Sequence, residues 1–455
     1  MGLVTPMKMK AGSPIWLVCL IYCATLLVTA QAAGEDKTAS DWHAQDIPFR
    51  VLNATSNGHS LWICGTDEAI ALSSDGANHW QVKHKTTDGA VLLNIGFAND
   101  KFGYAAGTGG LFLTTEDGGE TWIPHSEGKD AILQVSFSDA KHGLIRTFGS
   151  LLFTTDGGAS WEAVSAGQNP DDIKHFPYTF SLVALDGAHM AIMMKEGSAQ
   201  YQGQRFLVTE DSGKSWKFVG IPNTTLYSFL RVQGKYWTVG TEVIHKDQPG
   251  GGYGVPVALY SSDGEKWDHS SIDLSACKPH MCVACTAEGC LSANGTISDL
   301  FLDKISYKEF SSKGTLTSKW ASDGSAVCFV GNGLQCADLK SVATPSSNEG
   351  PLPVAVGPGP LGASSAQGPQ CIVCSLDQIF IDKKAQGPYS IKLALEIAKN
   401  GIVKNAVAEG APTPDVKSRI EQQAQEWIFE PYLREGVATN VKLNTTVRVN
   451  VIRPR

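Results

Sequence analysis

Leu111-Phe112-Leu113-Thr114-Thr115-Glu116-Asp117-Gly118-Gly119-Glu120-Thr121-Trp122 reads as strand, tight turn, strand. The Thr and Asp side chains can accept hydrogen bonds from the amides of their own turn. Gly119 supplies a left-handed backbone that other residues resist. Trp122 returns a large apolar plate to the neighbouring strand. The unit recurs. Thr154-Thr155-Asp156-Gly157-Gly158-Ala159-Ser160-Trp161 and Thr209-Glu210-Asp211-Ser212-Gly213-Lys214-Ser215-Trp216 are full copies. Ser73–Trp80 keeps Asp75 and Trp80 but has Ala77 in the glycine place, and Ser261–Trp267 is one residue short between Asp263 and Trp267.

Around these units runs a longer period. Apolar strands leading into turns start at Leu61, Phe102, Gly143, Met190, Tyr236, Met281 and Ala326. The spacing is that of a four-stranded propeller blade, about 40 to 47 residues. Residues 47–343 therefore read as a mainly β, seven-bladed propeller, alternatively six-bladed because the last two units lack the Asp element. Cys285 and Cys290 flank one short turn there, and Cys328 and Cys336 flank another. Both pairs are candidate hairpin disulfides that take the place of the lost turn element.

The 455 residues carry 42% hydrophobic and 18% charged side chains, as expected of a folded, β-rich chain. A net charge of −8 disfavours a nucleic-acid partner. Residues 1–33 read as a cleaved export signal: Lys8 and Lys10, an uncharged apolar run from Ile15 to Ala30, then Ala30-Gln31-Ala32. The alternative is a retained anchor. Residues 34–46 read as a loose polar segment. Nine cysteines follow the signal, which in an exported chain favours disulfides over a zinc site at Cys277, His280, Cys282, Cys285 and Cys290. Nine is odd, and Cys64, alone in its region, is the candidate for the unpaired thiol.

Residues 344–370, rich in Pro, Gly and Ser, read as a linker. Residues 371–455 form a separate small α+β unit. Ile391, Leu393, Leu395 and Ile397 alternate on a strand, Asn400-Gly401 marks a two-residue hairpin, and Ile402–Val407 return. Thr413-Pro414 opens a helix with Val416, Ile420, Ala424 and Trp427 on one face. A long alternating strand from Val441 to Val451 completes a β-β-α-β order. Cys371 and Cys374 form a Cys-x-x-Cys pair read as a disulfide, with a redox-active pair as the weaker option.

Two resemblances follow. The repeated Ser/Thr-x-Asp-x-Gly-x-x-Trp pattern resembles the Asp-box of BNR-repeat propellers, and its long copies are most similar to the photosystem II assembly/stability factor-like group. Residues 371–455 resemble the C-terminal domain of TonB-family energy transducers, through Gly387, Asn400-Gly401, Trp427, Phe429, Pro431, Gly436 and the final strand. The departures are the cleavable signal and the intervening propeller.

The box residues Asp75, Trp80, Asp117, Gly119, Trp122, Asp156, Gly158, Trp161, Asp211, Gly213, Trp216, Asp263 and Trp267 read as scaffold rather than chemistry. A sialidase needs an arginine cluster for its substrate carboxylate. Residues 47–340 hold only Arg50, Arg146, Arg205 and Arg231. The expectation is a non-enzymatic cell-envelope protein, without cofactor or metal. Its propeller binds envelope proteins, and its C-terminal domain docks a second partner at the outer membrane or peptidoglycan. The alternatives are an energy transducer for outer-membrane transport and a sialidase-like glycan hydrolase.

Overall fold

The computed structural model describes residues 43–57, 59–87, 89–126, 129–165, 179–194, 203–232, 234–244, 253–270, 283–286, 289–292, 319–322, 325–331, 333–338, 369–374 and 389–449. The predicted signal segment, most of the predicted linker, the Cys277–Cys282 cluster and Gly387 lie outside them. Five sheets of four antiparallel strands follow one another in the chain. The first holds β2 (Val51–Ser56), β3 (Leu61–Gly65), β4 (Ile70–Ser73) and β5 (Gln81–His84). The second holds β6 (Leu92–Phe97), β7 (Gly103–Gly107), β8 (Leu111–Thr115) and β9 (Ile123–Ser126). The third holds β10 (Gln134–Phe137), β11 (Gly143–Arg146), β12 (Leu151–Thr154) and β13 (Glu162–Ala163). The fourth holds β14 (Thr179–Ala184), β15 (Met190–Met194), β16 (Gly203–Thr209) and β17 (Lys217–Pro222). The fifth holds β18 (Thr224–Val232), β19 (Lys235–Ile244), β20 (Tyr253–Ser261) and β21 (Asp268–His269). A separate hairpin, β22 (Val283–Thr286) with β23 (Gly289–Ser292), sets Cys285 opposite Cys290 in register.

The sixth four-stranded sheet is composite. Its strands β24 (Lys319–Ser322), β25 (Ala326–Gly331) and β26 (Gly333–Asp338) are completed by β1 (His43–Ala44) from the other end of the chain. His43 pairs with Cys336 and Ala44 with Gln335. This differs from the expected boundary at residue 47. A two-residue strand carries no readable period, and its partner lies almost three hundred residues away. Closing the ring with the N-terminal strand removes an open sheet edge.

Successive side chains on a strand face opposite ways, so each sheet feeds two cores. Leu61 and Ile63 pack toward sheet six with Ala326, Val330 and Leu334. Their neighbours Trp62 and Cys64 pack toward sheet two with Leu92, Ile95 and Leu113. The same alternation joins sheets two and three, three and four, and four and five. Every residue of β3, β7 and β15 is buried as a result. A strand covered on both faces reads as a continuous apolar run, which is why these strands stood out in the sequence.

The C-terminal unit has a three-stranded sheet in the order β29–β28–β33: β28 (Tyr389–Ile397), β29 (Val403–Glu409) and β33 (Val441–Val449). Helix α1 (Pro414–Gln425) lies on it through Val416, Ile420 and Ala424. The Thr413 hydroxyl caps the helix by accepting the Val416 N–H at 3.3 Å. The turn before β29 is one residue longer than predicted. Ala398 N–H bonds Ile402 O, Gly401 N–H bonds Ala398 O, and Ile402 bridges to Ile428 instead of starting the return strand. Gly401 has φ +85°, the left-handed end of a three-residue hairpin loop. Short strands β27 (Cys371–Val373) and β30 (Ile428–Phe429) pair beside this core, and β31 (Leu433–Arg434) with β32 (Val437–Ala438) form a small hairpin. Among the described residues no helix is long and apolar enough to cross a membrane.

Candidate functional site

The propeller has two unlike faces. One carries the boxes, which link the third and fourth strands. The Thr115 hydroxyl donates to Asp117 at 2.7 Å and accepts the Gly119 N–H at 2.9 Å. Asp117 then accepts the Thr121 N–H and hydroxyl. Thr154–Asp156–Ser160 and Thr209–Asp211–Ser215 repeat this set, and Ser261–Asp263 and Ser73–Asp75 give shorter versions. Asp117, Asp156 and Asp211 are held at about 2, first by the hydroxyl that each accepts, and Asp75 is held there by His79. The Trp122, Trp216 and Trp267 indoles donate to a carbonyl of their own turns, at Gly119, Gly213 and Gly264. Each of these carboxylates is fully engaged within its turn. The boxes also bond across to the first hairpin of the same sheet, as in Gly118 N–H to Lys101 O and Gly157 N–H to Lys141 O.

The opposite face carries the hairpins between second and third strands and the connectors between sheets. Two hairpins share one design. The Thr66 hydroxyl accepts from Arg50 N–H while Thr66 N–H donates to Arg50 O. Thr108 does the same with Val91. Gly109 and Gly110 then turn with φ +67° and +72°. Connector residues 85–87, 89–91 and 129–133 lie alongside, tied by Thr86 N–H to Asp67 O and Ile132 N–H to Gly107 O.

The C-terminal unit is seated on this hairpin face over the first three sheets. Arg50 pairs with Glu426 at 2.9 Å. Burial pulls the Arg50 guanidinium below its usual value, against the pull of Glu426. Glu430 follows β30 and is fixed by its N–H to Gln370 O at 2.8 Å. Its carboxylate enters between hairpin 108–110 and connector 129–133. The Gly109 and Ala131 amides favour the anion, yet neither carboxylate oxygen completes a hydrogen bond. Burial, reinforced by the nearby Asp130 charge, pushes Glu430 up to about 7. A cleft of about 400 Å³ opens beside it, between Asp130, Phe148 and Gly149 on one side and Pro369, Pro431 and Tyr432 on the other.

The predicted residues thus fall in separate places. Asp75 to Trp267 form the box face. Trp427 and Phe429 are core residues under α1, and Pro431 stands at the seam. Gly436, φ +82°, turns the hairpin that reaches toward Lys129. Cys328–Cys336 and Cys371–Cys374 are disulfide-bonded, and Cys64 is a buried free thiol. The four arginines lie apart: Arg50 is at the seam, Arg146 sits on β11 in register with Gln134 and Leu151, Arg205 lies over the Phe218 ring, and Arg231 donates to Ser138 O and Leu185 O near the first-hairpin turns. Among the described residues no three His, Cys, Asp or Glu side chains group as metal ligands. Glu430 was missed. Its only sequence signal is a carboxylate set between Phe429 and Pro431 in the transducer-like motif.

No family model matches the chain. Over 139 residues it is 32% identical to the chloroplastic photosystem II stability/assembly factor HCF136 of Oryza sativa subsp. japonica, covering 28% of this chain and 30% of that protein. The corresponding Arabidopsis thaliana protein is 29% identical over 139 residues, 28% of this chain and 31% of its own. The chain thus spans about a third of the length of the curated relatives it matches. A solved structure of YCF48 bound to D1 peptide is 16% identical with a TM-score of 0.38, covering 65% of this chain and 96% of that one. Over those 139 residues the chain is similar to a photosystem II stability/assembly factor.

Proposed function

We propose that the chain is a non-enzymatic, exported protein-binding scaffold of the assembly-factor kind. Its hairpin face binds protein segments, and its C-terminal domain presents a second docking surface to an envelope partner. The observation that supports this reading best is the seam itself: Arg50, hairpin 108–110 and residues 129–131 already receive residues 426–436 by an ion pair and a buried side chain. The box face offers turn carboxylates that are fully engaged. In this reading β22–β23 belongs to a seventh blade between sheets five and six, and residues 371–455 are a TonB-like domain without an energy-coupling role.

The test is native isolation of the full chain from its own cell envelope after chemical cross-linking, with the cross-links mapped. The reading expects a protein partner joined to the hairpin face or to the β28–β29–β33 sheet. Recovery of the chain alone, or turnover of envelope glycans by the purified chain, would overturn it. Sequencing of the mature N-terminus tests export: a start near Ala33 is expected.

A further inference from the structure

The seam holds a group that a permanent interface would not choose. Both oxygens of Glu430 are buried from solvent and lack hydrogen-bond partners, and Asp130 faces the same space. A buried carboxylate in that state resists ionisation, because its lost hydration is not replaced. A glutamine or an apolar side chain would seat more firmly. The remaining charges at the contact do not offset it. Arg50 is taken by Glu426, Lys129 reaches the neighbourhood of Gly436, Arg434 and Glu435 are exposed on the β31–β32 hairpin, and hairpin 108–110 has no ionisable side chain. Across the first hairpin, Glu68 is paired with His84.

We propose that the C-terminal domain is a reversible cap on the hairpin face, and that the proton on Glu430 sets how firmly it is seated. Protonated Glu430 fits the seam as a neutral acid. Ionised Glu430 must either stay buried beside Asp130 or leave with the cap, which uncovers the Gly109 and Ala131 amides to an incoming protein segment. The inference does not depend on which partner the face takes.

The direction of the pH effect follows from linkage. The seated carboxyl titrates near 7, against an ordinary value of 4.5 when free. Seating therefore carries a bound proton. It is at full strength below about pH 4.5, weakens by at most about tenfold per pH unit between there and about 7, and is level above. Tenfold is a ceiling, since water screens a seam that is partly open.

The experiment is amide hydrogen exchange on the full-length chain from pH 5 to 8, read as protection factors, which remove the intrinsic pH dependence of exchange. Peptides containing Gly109 and Ala131 report the seam, and β15 serves as an internal reference for global stability. Protection at the seam is expected to fall between pH 5 and 7 and then level off, with β15 unchanged. Glu430→Gln should hold the seam protected at every pH while leaving the Glu68–His84 pair in place. Asp130→Asn should move the fall to lower pH. Flat wild-type protection between pH 5 and 7, or a Glu430→Gln variant that keeps the fall, would overturn the proposal.

Discussion

Gly158 abuts the ring of Phe112 across the joint between sheets three and two, and a Cβ there would lie 2.7 Å from Cε1. The same relation sets Gly213 against Phe153 and Gly119 against Trp62. Each of these box glycines also has φ between +90° and +94°. The box glycine is thus needed twice, once for its backbone and once to admit an aromatic ring from the preceding sheet. Trp161 then meets Phe112 edge-on at 5.8 Å, and Trp216 meets Phe153 at 6.1 Å. The box is the device by which one blade grips the next.

Gly158→Ala should destabilise the propeller by about 2 kcal/mol or more, from left-handed strain plus overpacking. Ala77 is the counter-example. It holds φ +66° in the core that sheet six fills with Ala321, Ala326 and Cys328 rather than with a ring. Ala77→Gly should therefore stabilise by about 1 kcal/mol. Urea unfolding of the two variants checks both signs.

Acid sensitivity should trace to the boxes. Asp117, Asp156 and Asp211 are held at about 2, below their ordinary 3.8. A carboxylate depressed by folding contributes stability above its unfolded value and loses it as pH falls through the folded one. The melting temperature should thus drop between about pH 4 and 2. The triple Asp→Asn variant should melt lower at pH 7 and show a flatter profile over that window. An unchanged slope would assign the acid loss elsewhere.

The Cys328–Cys336 bridge ties β25 to β26, and Cys336 is also the register partner of His43 on the closing strand. Its loop is short, so the chain-entropy gain is about 2–3 kcal/mol. Cys328→Ser with Cys336→Ser should lose that amount. It should also raise amide exchange at residues 43–45 more than at β15, because the strand that closes the ring pairs directly with the bridged one.

The repeat was legible because its chemistry is local. A turn that needs Thr, Asp and Gly at fixed offsets writes itself into twelve residues, and inner strands buried on both faces write continuous apolar runs. The C-terminal alternation and the Thr413 cap were legible for the same reason. What could not be read depended on distant partners. The two residues of β1 gain meaning only beside β26. Asn400-Gly401 suggested a two-residue turn, but Phe429 N–H bonds Gly401 O and Ile402 bridges to Ile428, so a segment almost thirty residues on lengthens the loop. Glu430 carried no local signal of burial, since its environment is built by Gly109, Asp130 and Ala131 from another part of the chain.

In the proposed role the hairpin face receives protein segments, with the chain's own residues 426–436 seated there. The most direct measurement places a benzoylphenylalanine photocrosslinker at position 149, where Gly149 has open space around its Cα and lines the cleft, and a control at exposed Glu116 on the box face. Irradiation of the purified full-length chain and peptide mapping should join position 149 to residues 369–370 or 430–433, and position 116 to neither. No adduct from position 149 to those segments, or equal adducts from both positions, would contradict the account.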